Sequence, residues 1–473
     1  MPQISRREAI GALGASGVIA LAGCSGGNGD DGDDTGDGDD GSNGTSDDGG
    51  TTSDGVSGTF KIGVLQDFSG PLPAYGAQGT TGFYSGLAYK ADSDPLGNDA
   101  VDEGDYEYEV GDLTVELSVR DTQFNPSQAQ QLAEDLATNE EVDLLFGVGN
   151  SNGANRVISQ VVDRAEIPYI PGPAASAAIT NNSETCRDLV FRANENTAMD
   201  ARSGGVYIAE QTDVERMALF GADEAFGRSV VNNYRQVLEN NGVEIVQERF
   251  VPSDYAEWGG LLDQAQQADA QGLVGGFTAS ALVPFGRTFL QGNYDMQLFG
   301  GFASRVTLSV LGDTLSSTLG ENFTNEGLAD ADFGPFTTRY HWNQYDNSIN
   351  DAFIDMHTDA YEVVPDLFTS GAFTAASSVV QAIESAGEAS SDAVVSEMTG
   401  MTVADTPKGE DGYTYQEYNN QARSAMTIAP VEVATNEGDD QFWPAPIKPG
   451  DPIETVPADQ VTTPASEMSC DLS

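Results

Sequence analysis

The sequence predicts an α/β protein of two doubly wound α/β lobes joined by a multi-strand hinge. Three observations carry this. Asp143 to Thr180 reads as strand, polar loop, helix, strand, polar loop. Strands and helices alternate four times over about 120 residues from Thr59. The alternation then restarts after Val190-Phe191-Arg192.

The folded part opens with TFKIGVL at Thr59 to Leu65, an apolar run that fits a buried strand. The loop Gln66 to Gly76 leads into a helix through Tyr89, and Leu113 to Arg120 alternates as LTVELSVR before a helix from Pro126 to Thr138. The organising unit follows, its two strands unalternating and its helix apolar at Val157, Ile158, Val161 and Val162. Consecutive parallel strands put their loops on one sheet edge, where open α/β folds bind ligands. These loops are Gly149-Asn150-Ser151-Asn152-Gly153 and Gly172-Pro173-Ala174-Ala175-Ser176. Their small residues admit a ligand close to backbone N–H groups, and a helix starting near Asn152 turns its amino end to an anion. Turn formation alone favours the same residues, so both readings stand for either loop.

The second lobe reads as a helix near Ala198 to Glu210, strand Arg216 to Phe220, a helix near Ser229 to Asn240 and strand Val243 to Phe250. A helix near Gly259 to Ala268, strand Gly272 to Phe277, a helix from Ala281 to Gly292 and a short strand Gln297 to Gly300 complete it. Helices over Ile349 to Tyr361, Thr369 to Ala386 and Asp392 to Met398, then strands Tyr413 to Glu417 and Ala425 to Val433, return to finish both lobes. The expected division is 59–193 plus 345–404 for lobe 1, 194–344 plus 405–440 for lobe 2, and an irregular Pro-rich tail over 441–473.

Acidic residues number 75 against 20 basic, a formal net charge of −55, and Lys occurs only at 61, 90, 408 and 448. A diffuse acidic excess with so little Lys keeps a surface hydrated in very high salt, an adaptation of the haloarchaeal kind. Without a basic face to displace counterions, no nucleic acid partner is expected. Residues 1–24 read as an export signal: twin arginines in Ser5-Arg6-Arg7, an apolar stretch too short to span a membrane, and Leu21-Ala22-Gly23-Cys24. The last four residues resemble a lipoprotein processing box, with Cys24 as the lipidated residue. The acidic, Gly- and Asp-rich stretch 25–58 has no apolar run and reads as a disordered tether. Its Asp residues do not follow a calcium-loop spacing, and neither metal nor cofactor is expected. Cys186 and Cys470 remain; two cysteines outside the cell can bridge, and a disulfide pinning the tail is expected.

KIGVLQDFSGPLPAYG at Lys61 to Gly76, FGVGNSNGA, PGPAAS, VFR at Val190 to Arg192, AFG at Ala225 to Gly227 and GAFTAASSVVQAIESAG at Gly371 to Gly387 occur in that order. In order and spacing the chain resembles the extracellular solute-binding proteins of the branched-chain amino acid and amide class, which have the type I periplasmic-binding-protein fold and serve ATP-binding cassette (ABC) importers. The resemblance covers about 60–433. It implies that Ser151 and Ser176, with backbone at Ala174, hold a ligand carboxylate, that Tyr75 lines the cleft, and that Phe226 and Phe277 are walls of the second lobe. Phe226 stands where the family usually has Tyr. Where amino-acid binders place an acid against the ligand ammonium, this chain has Gly300-Gly301-Phe302-Ala303-Ser304; Phe302 offers no charge, leaving Asp67, Asp223 or Glu224 as substitutes. The implied partners are a small molecule (amino acid, amide or short carboxylate), an ABC permease in the membrane and a lipid anchor, on the extracellular face of the cell membrane.

Two rivals follow from the same residues. Gly149 to Gly153 also fits the G-x-S-x-G nucleophile elbow of serine esterases. The only imidazoles are His341, expected at a lobe crossing, and His357, expected to face out of its helix beside Asp355 and Asp359, so no enzyme is expected. A ligand-sensing receptor ectodomain would share the fold.

Overall fold

The computed structural model describes residues 56–473 except 278, 293, 301–303, 332 and 436. The export signal, Cys24, most of the tether and Phe302 lie outside the described residues. Strand β1 (Gly58–Gln66) leads through helix Pro73–Ala91 to a hairpin of β2 (Gly104–Val110) and β3 (Leu113–Asp121). Helix Pro126–Thr138 then precedes β4 (Leu144–Gly147), and a helical run from Ser151 to Ala165, with a π-turn over Ile158–Val162, precedes β5 (Tyr169–Pro171). The five strands form one sheet in the order β2-β3-β1-β4-β5, parallel except for β2. Strand β2 has no counterpart in the sequence reading: GDYEYEV is acidic, with Asp105, Glu107 and Glu109 exposed. Charge of this kind is how an edge strand resists further pairing.

The second sheet contains β6 (Arg216–Ala222), β7 (Glu244–Val251), β8 (Gly272–Gly276) and β9 (Gln297–Phe299), all parallel, ordered β7-β6-β8-β9. Both lobes therefore wind alike: the second parallel strand flanks the first on the side away from the third and fourth. Apolar clusters cover both faces of each sheet, as parallel sheets require. In the first lobe helix Thr369–Ala386 lies against Pro73–Ala91 at very short range. A Cβ on Gly82 or Gly86 would meet the carbonyl oxygens of Thr369 or Phe373 at 2.5 Å. Helix Arg305–Leu319, unread in the sequence, packs in the second lobe through Leu308, Leu311 and Leu315.

Lobe 1 extends past residue 404. Strands Thr402–Val403, Tyr413–Tyr415 and Ala422–Arg423 form a small antiparallel sheet whose Val403, Tyr413, Tyr415 and Ala422 are buried in the first lobe's core. Their apolar alternation belongs to that core, so 405–423 leaves the second lobe. The expected strand to Val433 is interrupted at Pro430: Met426–Ala429 pairs with Phe336–Thr338, whereas Val431–Val433 pairs with Ile447–Pro449. The tail is also ordered. Glu454–Val456 adds to Met426–Ala429, and Trp443 and Ile447 enter the second lobe's core. Cys186 and Cys470 form a disulfide with Cα atoms 5.9 Å apart.

The hinge is dense in buried polar pairs. Lys408 Nζ donates to Glu195 Oε1 at 2.6 Å, joined by Tyr413 and Ser424. Arg339 pairs with Asp200, and Arg192 donates to Gln421, Thr180 and the Ser176 carbonyl. Burial pushes the Arg192 guanidinium down to about 9. No helix among the described residues is long and apolar enough to cross a membrane.

Candidate functional site

The carboxyl ends of β1, β3, β4 and β5 bring four loops to one edge of the first sheet. Asp67, just after β1, accepts from Thr122 Oγ1, from Phe124 N at 2.8 Å and from Gly149 N at 3.1 Å, tying together the loops after β1, β3 and β4. Burial outweighs these bonds and pushes its pKa up to about 6. Asp67 is thus an internal clamp and does not line the cleft. Helix Pro73–Ala91 approaches it so closely that a Cβ on Gly76 would meet its carbonyl oxygen at 2.3 Å. After β4 the backbone is strained: Gly147 has φ +117 and Val148 φ 71, the latter rare for a β-branched residue. The two bond across the edge, Val148 N donating to Leu65 O at 2.5 Å and the Gly147 carbonyl accepting from Gly172 N at 2.8 Å. Strain of this kind persists only where the surroundings enforce it.

Asn150 caps the helix after β4, its Oδ1 accepting from Gly153 N at 3.1 Å. Ser151 is the first helical residue and lines the cleft. Its Oγ accepts from Ser176 N at 3.2 Å, which leaves the hydroxyl proton free to donate. Ser176 itself is fully buried and does not line the cleft. Its hydroxyl is buried, makes no hydrogen bond among the described residues and lies beside a separate groove. The Ala174 N–H is consumed by Val148 O at 3.1 Å, and Ala175 is the residue of this loop that faces the cleft. Of the three expected carboxylate contacts, the Ala174 N–H is therefore already bonded and the Ser176 hydroxyl is buried away from the cleft lining, which leaves Ser151.

The cleft encloses about 300 Å³ between the lobes. Tyr75, Phe124, Phe368, Pro71 and Pro173 form its first-lobe wall, with Phe226, Phe277, Glu224 and Ser280 opposite. Tyr75 packs edge-on to Phe368 at 4.9 Å, and its hydroxyl bonds to the side chains of Ser304 and Thr307 on the facing lobe; burial pushes this phenol up to about 12. Phe277 packs at a tilt against the buried Trp258, with centroids 4.7 Å apart, and against Phe285 at 4.9 Å. Behind Phe226 and Phe277 lies an apolar cavity of about 60 Å³. Glu224 accepts from Phe226 N and Gly227 N, capping helix Ala225–Asn240, and burial raises its pKa. Asp223 instead pairs with Arg228.

A second bridge crosses beside the cleft. Asp366, fully buried, accepts from Gln78 Nε2 and from Arg305 N, each at 2.9 Å, with His341 Nδ1 at 3.2 Å. Burial alone would raise its pKa, but the neighbouring His341 and the Arg305 charge and N–H prevail and hold it low. His357 points inward and not to solvent: its ring contacts Val363 O at 2.8 Å and Thr81 Oγ1 at 3.2 Å, between Phe353 and Tyr361. The flanking Asp355 and Asp359 suggested an exposed face, but helix Pro73–Ala91 covers the position. Neither imidazole is among the residues lining the cleft, and within the G-x-S-x-G stretch Asn150 caps the helix that starts at Ser151.

Sequence reasoning missed Phe124, Ala175, Phe368, Ser304 and Asp366. Phe368 and Asp366 had a usable signal, as they directly precede the long helix the resemblance singled out. Ser304 had one as well, being the N-cap of helix Arg305–Leu319.

A family model described as periplasmic binding protein matches residues 59–439. No curated protein matches the chain in sequence. Among solved structures, an amino acid ABC transporter substrate-binding protein from Pseudomonas fluorescens Pf-5 is similar at 16% identity and TM-score 0.70, covering 88% of this chain and 100% of its own. A solute binding protein from Rhodopseudomonas palustris BisB5, in complex with 3,4-dihydroxybenzoic acid, is similar at 17% identity and TM-score 0.66, covering 85% and 98%. A leucine binding protein from Thermotoga maritima MSB8 gives 15% identity, TM-score 0.65, and 85% and 99% coverage. At these identities the likeness is one of fold.

Proposed function

The chain belongs to the periplasmic binding protein family, and from that premise we propose that it captures a small organic solute between its lobes and delivers it to an ABC importer. The solute class is an amino acid, amide or short carboxylate with an apolar or aromatic body. One observation carries this reading: a cleft of about 300 Å³ whose walls are aromatic from both lobes and whose lining includes Ser151 at a helix start. The hydroxyl proton and the first N–H groups of that helix suit a carboxylate. Tyr75, Phe124, Phe226, Phe277 and Phe368 suit the flat or branched remainder.

The mechanism is a hinged clamp. Solute settles on the first-lobe loops, and the second lobe closes to bring Phe226 and Phe277 over it. The bonds from Tyr75 to Ser304 and Thr307, and from Arg305 N to Asp366, exist only with the lobes together. The solute shifts the equilibrium by as much as it favours this state. A permease then reads the closed form. Export through the twin-arginine signal and lipidation at Cys24 would hold the protein on the outer face of the membrane; mass analysis of the mature amino terminus tests that part.

Native mass spectrometry of the purified protein in high salt, followed by calorimetry with the retained solute and with a panel of amino acids, amides and benzoates, tests the capture step. A retained small molecule displaced by one of these is the expected result. Absence of binding across the panel, with no retained molecule, would sink the reading.

A further inference from the structure

The segment after residue 440 is not used by the capture mechanism, yet it touches both lobes. It begins in the second lobe, where Trp443 packs on Trp342 with centroids 4.7 Å apart and donates from Nε1 to Ile447 O at 2.8 Å. It then crosses the hinge: Glu454–Val456 pairs with Met426–Ala429, and Val456 and Val461 pack against Met199, Met426 and Ile428. An ion pair from Arg202 to Glu467 makes one more anchor on the second lobe. The end lies on the first lobe. Ser469 N and Cys470 N both donate to Asn181 O at 3.1 Å, and Cys470 is bonded covalently to Cys186.

These anchors flank a groove where the lobes meet. Its first-lobe wall includes Ser176 and Ala177, its second-lobe wall Arg228 and Ser229, and its rim Glu467 and Ser469. At its floor Ala177 N donates across the lobes to Ser229 Oγ at 3.0 Å and to Thr197 Oγ1 at 3.1 Å. From Glu467 to Cys470 is three residue steps, a reach of roughly 10 Å at full extension. While the ion pair holds, this edge cannot part further than that. When it breaks, the next anchor is Val461, whose nine steps to Cys470 allow about 30 Å.

We infer that residues 441–473 form a covalent brace that ties the two lobes along one edge of the cleft and limits how far they separate when solute leaves. Opening then proceeds mainly at the edge held by Tyr75 and Asp366, whose cross-lobe bonds are noncovalent. The inference rests on the two lobes moving as a clamp, but not on any particular solute.

Hydrogen exchange of the full chain, oxidised and without added solute, tests it against a Cys186→Ser/Cys470→Ser variant. The brace predicts exchange at least tenfold faster in peptides covering 463–472 and in the peptide containing the Ala177 amide, with β1 and β6 unchanged. Arg202→Gln, which keeps the disulfide, should speed the Ala177 peptide by a smaller factor. Should the serine variant not fold, wild type reduced with a phosphine supplies the same comparison. Faster exchange in 463–472 with an unaltered Ala177 peptide would show a mere cover and overturn the brace, as would no change in either. Because no solute enters the measurement, its failure is distinct from failure of the capture reading.

Discussion

His357 makes a quantitative test of the packing between the first lobe's helices. Burial, with the Arg305 charge assisting, drives its pKa down to about 3 against the opposing bond to Val363 O and the charge of Asp366. The folded state therefore refuses a proton that the unfolded chain accepts near pH 6.5. Stability is complete above that value and declines as pH falls toward the folded pKa. Between pH 7.5 and pH 5 this one group costs about 2 kcal/mol, from about 1.5 pH units of differential binding at 1.36 kcal/mol each. His357→Gln keeps a donor and an acceptor toward Val363 O and Thr81 Oγ1 and never titrates. The expected result is a variant less stable than wild type at pH 7.5, with the gap shrinking by about 2 kcal/mol at pH 5. Asp67, raised to about 6, works in the opposite direction: its stabilising protonated form is lost as pH rises through 6. It is present in both proteins and cancels in the comparison. Urea unfolding at the two pH values, at one fixed high salt concentration, reads the gap. Parallel pH dependences in wild type and variant would refute the buried, neutral imidazole.

Other consequences are as direct. Ser151→Ala, which removes the donor at the cleft floor, should raise the Kd for the retained solute about fivefold to tenfold by calorimetry, at about 1 kcal/mol for one hydrogen bond; unchanged affinity would remove the residue from the site. Tyr75→Phe breaks the bonds to Ser304 and Thr307 only in the closed state and should weaken binding about fivefold through faster release, measured by stopped flow. Lys408→Met strands the buried Glu195 carboxylate and should cost about 3–5 kcal/mol in urea unfolding, much of it recovered in the double variant with Glu195→Gln. Cys186→Ser opens a loop closed over 284 residues and should cost about 3–5 kcal/mol by the same measurement.

Much of the architecture was legible in the chain because its signals are local. Helices Pro126–Thr138 and Thr369–Ala386 fall on the expected residues, since apolar spacing, a Pro at the first turn and a Gly just past the end are read within one segment. Strand β2 escaped because an edge strand carries charge where a central one carries Val or Ile. The border of lobe 1 was misplaced for a different reason: Tyr413 and Tyr415 could cover either lobe's core, and only their contact with Phe191 and the long helix decides it.

The site divides along the same line. Composition and periodicity alone determined two wound lobes, a strongly acidic chain, and a Gly- and Ser-rich sheet edge on which Ser151 stands; Tyr75 came only from the family resemblance. Which polar groups of that edge remain available was decided by tertiary structure. Asp67 consumes the Gly149 amide, Val148 consumes that of Ala174, and Ser176 gives its N–H to Ser151 while its hydroxyl is buried. Each amide and hydroxyl has few bonds to give, and their partners arrive from strands and helices distant in sequence, so no local pattern reveals which donors are left for a solute.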